Sequence, residues 1–178
     1  MSETQLFLLA AGRGKRAGGP KAWKEVGGRP ALENMIEGML PHVAAIFVSV
    51  QAEWKAGMSR PSPKVSLISV DPDQPMLASL QELIASRGSD LSAFLHHVDM
   101  PVPDAGLLAA LSAALGQADA AVPLYKGERG HPALLSRKLY DAILDLDPQK
   151  DRLDQFLRTR NVVEVPVEQA SVLENQNT

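Results

Sequence analysis

No cysteine occurs among the 178 residues, so disulfides and thiolate-bound metals are excluded, and a reducing cytoplasm is the expected location. Aromatic side chains are nearly as scarce. Two Trp and two Tyr do not make a platform for stacking successive bases of a nucleic-acid strand. No apolar run approaches bilayer length, so no membrane partner is expected. A secretory pattern is missing too: Met1 to Gln5 is polar and acidic, and the short apolar run behind it leads straight into a glycine-rich loop. With a formal net charge of -3 there is no basic surface for a long polyanion, and nucleic acid is not an expected partner. The positive charge is local, gathered between Arg13 and Lys24, on the scale of a small anionic ligand.

The chain has the length and the 45% hydrophobic content of one domain with a sizeable core, so residues 1–178 are read as a single unit without repeat or linker. Apolar runs of strand length stand at Leu6 to Ala11, Ala44 to Val50, Val65 to Val70, Ala93 to Val98, Ala120 to Tyr125 and Val162 to Val167. Helical patterns alternate with them. One opens at Pro30 with Leu32, Met35, Ile36 and Met39 on one face and ends at Pro41; another covers Met76 to Ser86; a third runs from Asp104 to Gly116. Shorter ones lie near Lys138 to Leu144 and Arg152 to Arg160, while Glu53 to Pro63 and Lys126 to Pro132 read as surface turns. The alternation predicts α/β: a three-layer α/β/α domain around a mostly parallel, mixed sheet, Rossmann-like in outline.

The most informative stretch is Leu6 to Lys21, a buried strand that runs into Gly12-Arg13-Gly14-Lys15-Arg16-Ala17-Gly18-Gly19-Pro20-Lys21. Glycine lets backbone amides face a ligand, and such concave nests bind anions. A Walker A loop requires Lys directly after its last Gly and then Ser or Thr, whereas Pro20 follows Gly19 and Ala22 follows Lys21. Gly12, Gly14 and Ala17 fit the dinucleotide fingerprint, but Gly18-Gly19-Pro20 opposes the helix that must begin there. The remaining reading is a triphosphate loop with Arg16 and Lys21 as its cations. Asp99, where the apolar strand before Met100-Pro101 runs out, reads alone as a turn residue. Paired with that loop at the carboxyl edge of a parallel sheet, it becomes a carboxylate placed for Mg²⁺. His96 and His97 are adjacent on a strand and point to opposite faces, so they cannot share one metal.

Leu9-Ala10-Ala11-Gly12-x-Gly14-x-Arg16 with the downstream Pro20-Lys21 resembles the signature of MobA-like NTP transferases, which join an NTP to a phosphorylated acceptor. The resemblance implies a nucleotidyltransferase fold and contacts to the nucleotide from Leu9, Ala10, Ala11, Gly12, Arg13, Gly14 and Ser79. It also implies catalytic roles for Arg16, Lys21 and Asp99. Mg²⁺ would be held on Asp99 and on Asn177 of the terminal Asn175-Gln176-Asn177-Thr178, a stretch that the family continues with proline, an acidic residue and a helix. Gly130-His131-Pro132 resembles the loop that shapes the acceptor pocket in the cytidylyltransferase-like branch. Ala11, where guanine-selecting members tend to carry Gly, implies CTP in preference to GTP. The acceptor implied is a small phosphorylated molecule such as molybdopterin; the oligomeric state does not follow from the residues. Two alternatives stand beside this reading, another sugar- or alcohol-phosphate nucleotidyltransferase and a silent nucleotide-binding module. Pro75, where the family has Gly, bears on the second.

Overall fold

A computed structural model describes residues 4–15, 18–55, 62–87 and 89–175. Strand β1 (Thr4–Leu9) lies at the centre of an eight-stranded sheet, in parallel register with β4 (Ile46–Val50) on one flank and β6 (Ser92–His97) on the other. Between β1 and β4 come a 3-10 turn at Lys21–Trp23, the small hairpin β2 (Glu25–Val26) and β3 (Arg29–Pro30), and helix α1 (Ala31–Met39). The short α2 (Ala52–Lys55) follows β4, and β5 (Val65–Ser69) extends the sheet beyond it. Helix α3 (Met76–Ala85) carries the chain back to β6, and α4 (Ala105–Leu115) carries it on to β7 (Ala120–Tyr125). Asp104 caps α4, its carboxylate accepting from the Leu107 amide at 2.9 Å. Strand β8 (Glu128–Arg129) folds back on β7. Next come β9 (Ala133–Leu135), α5 (Tyr140–Leu144), α6 (Leu153–Arg158) and the edge strand β10 (Val162–Pro166).

The sheet order is β10-β7-β9-β6-β1-β4-β5, parallel throughout except that β9 runs antiparallel between β6 and β7, and β8 antiparallel to β7. Alternation along the strands divides the core in two. Leu6, Leu8, Ile46 and Val48 face α1 and α4, while Phe7, Phe47 and Leu95 face α3, α5 and α6. Each fully buried Leu or Phe contributes about 1.5–3 kcal/mol, so both faces must be covered. The fold class is therefore the expected three-layer one. Strand β9 departs from the sequence reading, which has a turn up to Pro132 and no strand behind it; three buried residues suffice because they fill the gap between β6 and β7.

This order positions a site. The chain leaves β1 toward β4 and β5, then returns to β6 on the opposite flank, so the connections diverge between β1 and β6. In open α/β sheets ligands bind at such a reversal, outside the carboxyl ends of the strands. Leu9 is level with Ser49 of β4 and His97 of β6, which brings the loops after all three strands to one edge.

Candidate active site

The loop after β1 closes on itself, with the Gly19 amide donating to the Gly14 carbonyl at 3.2 Å. Gly14 has φ +59, and a Cβ there would stand 1.7 Å from the Gly19 oxygen, so no other residue fits that position. Beyond the turn, Pro20 starts the 3-10 segment from which Lys21 reaches across to the loop after β6. Its Nζ lies 2.6 Å from Asp99 Oδ2, with the two side chains 26% and 16% exposed. Asp99 is itself placed by the strand before it, since the Val98 amide donates to the Leu9 carbonyl at 3.1 Å. A cleft of about 320 Å³ opens over this pair, walled by Ala10, Ala11 and Gly12 on one side and by Pro72, Met76 and Ser79 on the other.

A second cavity of about 300 Å³ shares His97 and Asp99 with the first and extends toward Gly130, His131, Val172 and Asn175. Gly130 is needed for the close approach of the last segment, because a Cβ there would meet the Val172 carbonyl oxygen at 2.5 Å. The His131 amide donates to that same oxygen at 2.8 Å. Asp99 and the Lys21 ammonium thus stand where two cavities join. Such a junction can hold two molecules with their reacting groups over one charged pair.

Residues 6–165 match the model of the MobA-like NTP transferase domain. The chain belongs to that family. Among solved structures, Rv0371c of Mycobacterium tuberculosis superposes with a TM-score of 0.81 at 20% identity, over 98% of this chain and 93% of that one. A manganese complex of the same protein gives 0.76 at 18%, over 95% and 90%. Molybdopterin-guanine dinucleotide biosynthesis protein A of Archaeoglobus fulgidus gives 0.70 at 21%, over 92% and 83%. A curated relative, the bifunctional enzyme IspD/IspF of Mesorhizobium japonicum, is 27% identical over 127 residues, which is 66% of this chain and 31% of that protein. The chain therefore spans about a third of that relative's length.

Within this MobA-like fold, Leu9, Ala10, Ala11, Gly12, Gly14, Ser79, Lys21 and Asp99, all singled out in the sequence, meet in the first cleft. Arg13 does not point into it. Its guanidinium makes two hydrogen bonds to Asp73 on the turn after β5, at 2.9 and 2.7 Å, and holds that carboxyl below the usual carboxylate range. Lys15 reaches the same carboxylate at 3.5 Å. Arg16 and Asn177 lie outside the described residues. Two polar residues that sequence reasoning passed over, Ser49 and Gln51, are buried beside the loop at 1% and 3% exposure. The signal for them was an apolar strand interrupted by polar residues two apart.

His96 and His97 differ in their surroundings, and both rings lie near His131, at 6.4 and 4.8 Å between centroids. His96 turns inward, with Nε2 3.0 Å from the Pro101 carbonyl, while the His97 ring packs edge-on against His131 at 4.8 Å between centroids. Burial is the main cause that pushes His96 down to about 3 and His131 down to about 4, so both stay neutral in the folded protein. Once unfolded they titrate near about 6.5 and take up protons that the folded form refuses. Stability should therefore fall as pH drops from about 6.5 toward about 4, by about 1.4 kcal/mol per pH unit for each histidine. Above that window these two groups should contribute no pH dependence. Urea midpoints across this range check it. The fall should be shallower in His131→Asn, and equal slopes in the two proteins would show that His131 is not held neutral by burial.

Proposed function

We propose that this protein transfers a nucleoside monophosphate from an NTP, CTP in preference to GTP, to a small phosphorylated acceptor such as molybdopterin, releasing pyrophosphate. The observation that carries the reading is the Lys21–Asp99 pair, set where the glycine-loop cleft meets the second cavity. The NTP occupies the first cleft, with its base near Ala11 and Ser79 and its β and γ phosphates on the Gly12 to Gly14 amides and on Arg16. The acceptor occupies the second, beside His97 and His131. An acceptor phosphate oxygen attacks the α-phosphorus in line, and the bond to pyrophosphate breaks. Little covalent work falls to the protein, so alignment and charge neutralisation carry the rate. No general base is required, because the attacking phosphate is already ionised. The Lys21 ammonium stands where charge shifts as the bond to pyrophosphate breaks.

The donor set also fits Mg²⁺. Asp99 faces the cleft, and among the described residues no group of three or more His, Asp or Glu could hold a metal ion. A single carboxylate suits an ion that keeps its waters and substrate phosphates as further ligands. Asp99, with Asn177, would hold it, and the charge it supplies would reduce repulsion between the two anionic substrates.

Pyrophosphate release, measured with each NTP, Mg²⁺ and a molybdopterin-type acceptor, tests the reaction. The likeness to IspD/IspF favours a second reading, in which the acceptor is an alcohol phosphate such as methylerythritol phosphate, and the same assay separates the two acceptors. Base preference is checked by calorimetry. The Ala11 methyl crowds a purine more than a pyrimidine, and one methyl group discriminates by roughly 10 to 200-fold, so CTP should bind within that margin more tightly than GTP. Ala11→Gly should narrow the gap. Tighter GTP binding by the unmutated protein would overturn the cytidylyl assignment and leave nucleotidyl transfer standing.

A further inference from the structure

Strand β4 is apolar up to Val48; Ser49 within it and Gln51 just past its end then present two polar side chains on one face, almost wholly buried. Burying polar groups is costly unless each finds a partner. The partners are backbone groups of β1 and of the segment leaving it, the Ser49 hydroxyl also donating to the Leu8 carbonyl at 3.5 Å. Ser49 Oγ accepts from the Ala10 amide at 3.1 Å, and Gln51 Nε2 donates to the Ala11 carbonyl at 2.9 Å. The β1–β4 ladder ends at the Leu9–Ser49 register, where β1 leaves the sheet. From there the two side chains continue the pairing that the strand backbone no longer makes. On the other flank the Leu9 carbonyl is held by the Val98 amide. The chain is thus anchored on both sides just before Gly12, and the amides that follow are presented to the cleft from a fixed base.

We propose that Ser49 and Gln51 are positioning residues that hold the Ala10–Ala11 backbone and through it set how the cleft discriminates between pyrimidine and purine nucleoside triphosphates. The inference rests on the reading of this cleft as a nucleotide site. A methyl group separates two bases only if its position is fixed to a fraction of an ångström, since a wall free to retreat by that much excludes neither. Gln51 holds the carbonyl of the residue that carries the methyl, and Ser49 holds the amide of the residue before it. A buried polar pair with its partners satisfied rigidifies what it touches, and preorganisation of that kind appears in affinity and in selectivity.

The test compares variants matched in size that differ in their hydrogen-bonding groups. Ser49→Val and Ser49→Thr have the same shape and differ in the hydroxyl; Gln51→Met keeps length and loses the donor. In the ligand-free protein, the Ala10 amide should exchange with solvent at least about tenfold faster in Ser49→Val than in Ser49→Thr. In calorimetric titrations with CTP and GTP in the presence of Mg²⁺, Ser49→Val and Gln51→Met should each weaken CTP binding about five- to tenfold and move the CTP-to-GTP affinity ratio toward unity. Ser49→Thr, which carries the same added methyl and keeps the hydroxyl, should hold both values closer to those of the unmutated protein than Ser49→Val does. Equal Ala10 exchange in the Val and Thr variants would overturn the anchoring. An unchanged affinity ratio in Ser49→Val and Gln51→Met would overturn the claim on selectivity, even with anchoring intact. Failure of the unmutated protein to bind any NTP would instead overturn the nucleotide reading, and the selectivity claim with it, while the exchange comparison would still decide the anchoring.

Discussion

Replacing Asp99 with asparagine is expected to lower turnover by at least about 10²-fold, the scale found when a group that stabilises developing charge is removed. The side chain keeps its shape and its place after β6, so the change is chemical: a carboxylate becomes a neutral amide between the two cavities proposed to receive the anionic substrates. Removing the charge should weaken the proposed hold on a divalent cation and also ends the 2.6 Å ion pair with Lys21. That pair is partly open to solvent, so its loss should cost about 1 kcal/mol of stability, or a melting temperature lower by about 2–4 °C. The measurement is steady-state pyrophosphate release at saturating NTP and acceptor over a range of Mg²⁺ concentrations, with a thermal melt as control. Turnover close to that of the unmutated protein would remove Asp99 from the chemistry. A melting temperature lower by much more than a few degrees would assign it a structural role instead.

The place of Asp99 beside the glycine loop was legible in the sequence because the end of an apolar run is visible without coordinates, and the carboxyl edge of a parallel sheet is where such an end matters. The same holds for Gly14, whose left-handed backbone and contact with Gly19 agree with the glycine density of the loop. Strand β9 was not legible, since three residues carry no periodicity and their place between β6 and β7 is decided by the shape of the gap. Nor was the partner of Arg13. Its guanidinium turns to Asp73, sixty positions along the chain, and cation density in a loop says nothing of which acid the fold will bring near. Ser49 and Gln51 illustrate a third limit. Their types and spacing stand in the sequence, but that both bind the backbone leaving β1 follows only from the register between β1 and β4.

For Lys21→Ala the expected result is a fall in kcat of about 10²-fold or more, with KM for the NTP changed within about threefold. The reason lies in where the lysine is mounted. Lys21 does not belong to the glycine run but to the 3-10 turn after it, where Ala22 is fully buried and the Ala31 amide is tied to the Lys24 carbonyl at 2.8 Å. On the proposed mechanism, an ammonium on so firm a base, next to Asp99, would strengthen its contact when charge moves on the reacting phosphate and add less to ground-state binding, to which the loop amides would also contribute. An interaction gained mainly in the transition state raises kcat, whereas one present equally in both states lowers KM alone. Trp23, two residues on, packs edge-on against Trp54 at 5.4 Å, and these are the only two tryptophans in the chain. Their emission in the ligand-free variant therefore reports whether the turn has kept its place, and it should match that of the unmutated protein. With the turn intact, a lower kcat at near-constant KM assigns Lys21 to the transition state. A raised KM with kcat unchanged would make it a residue that binds the phosphates without favouring their transfer.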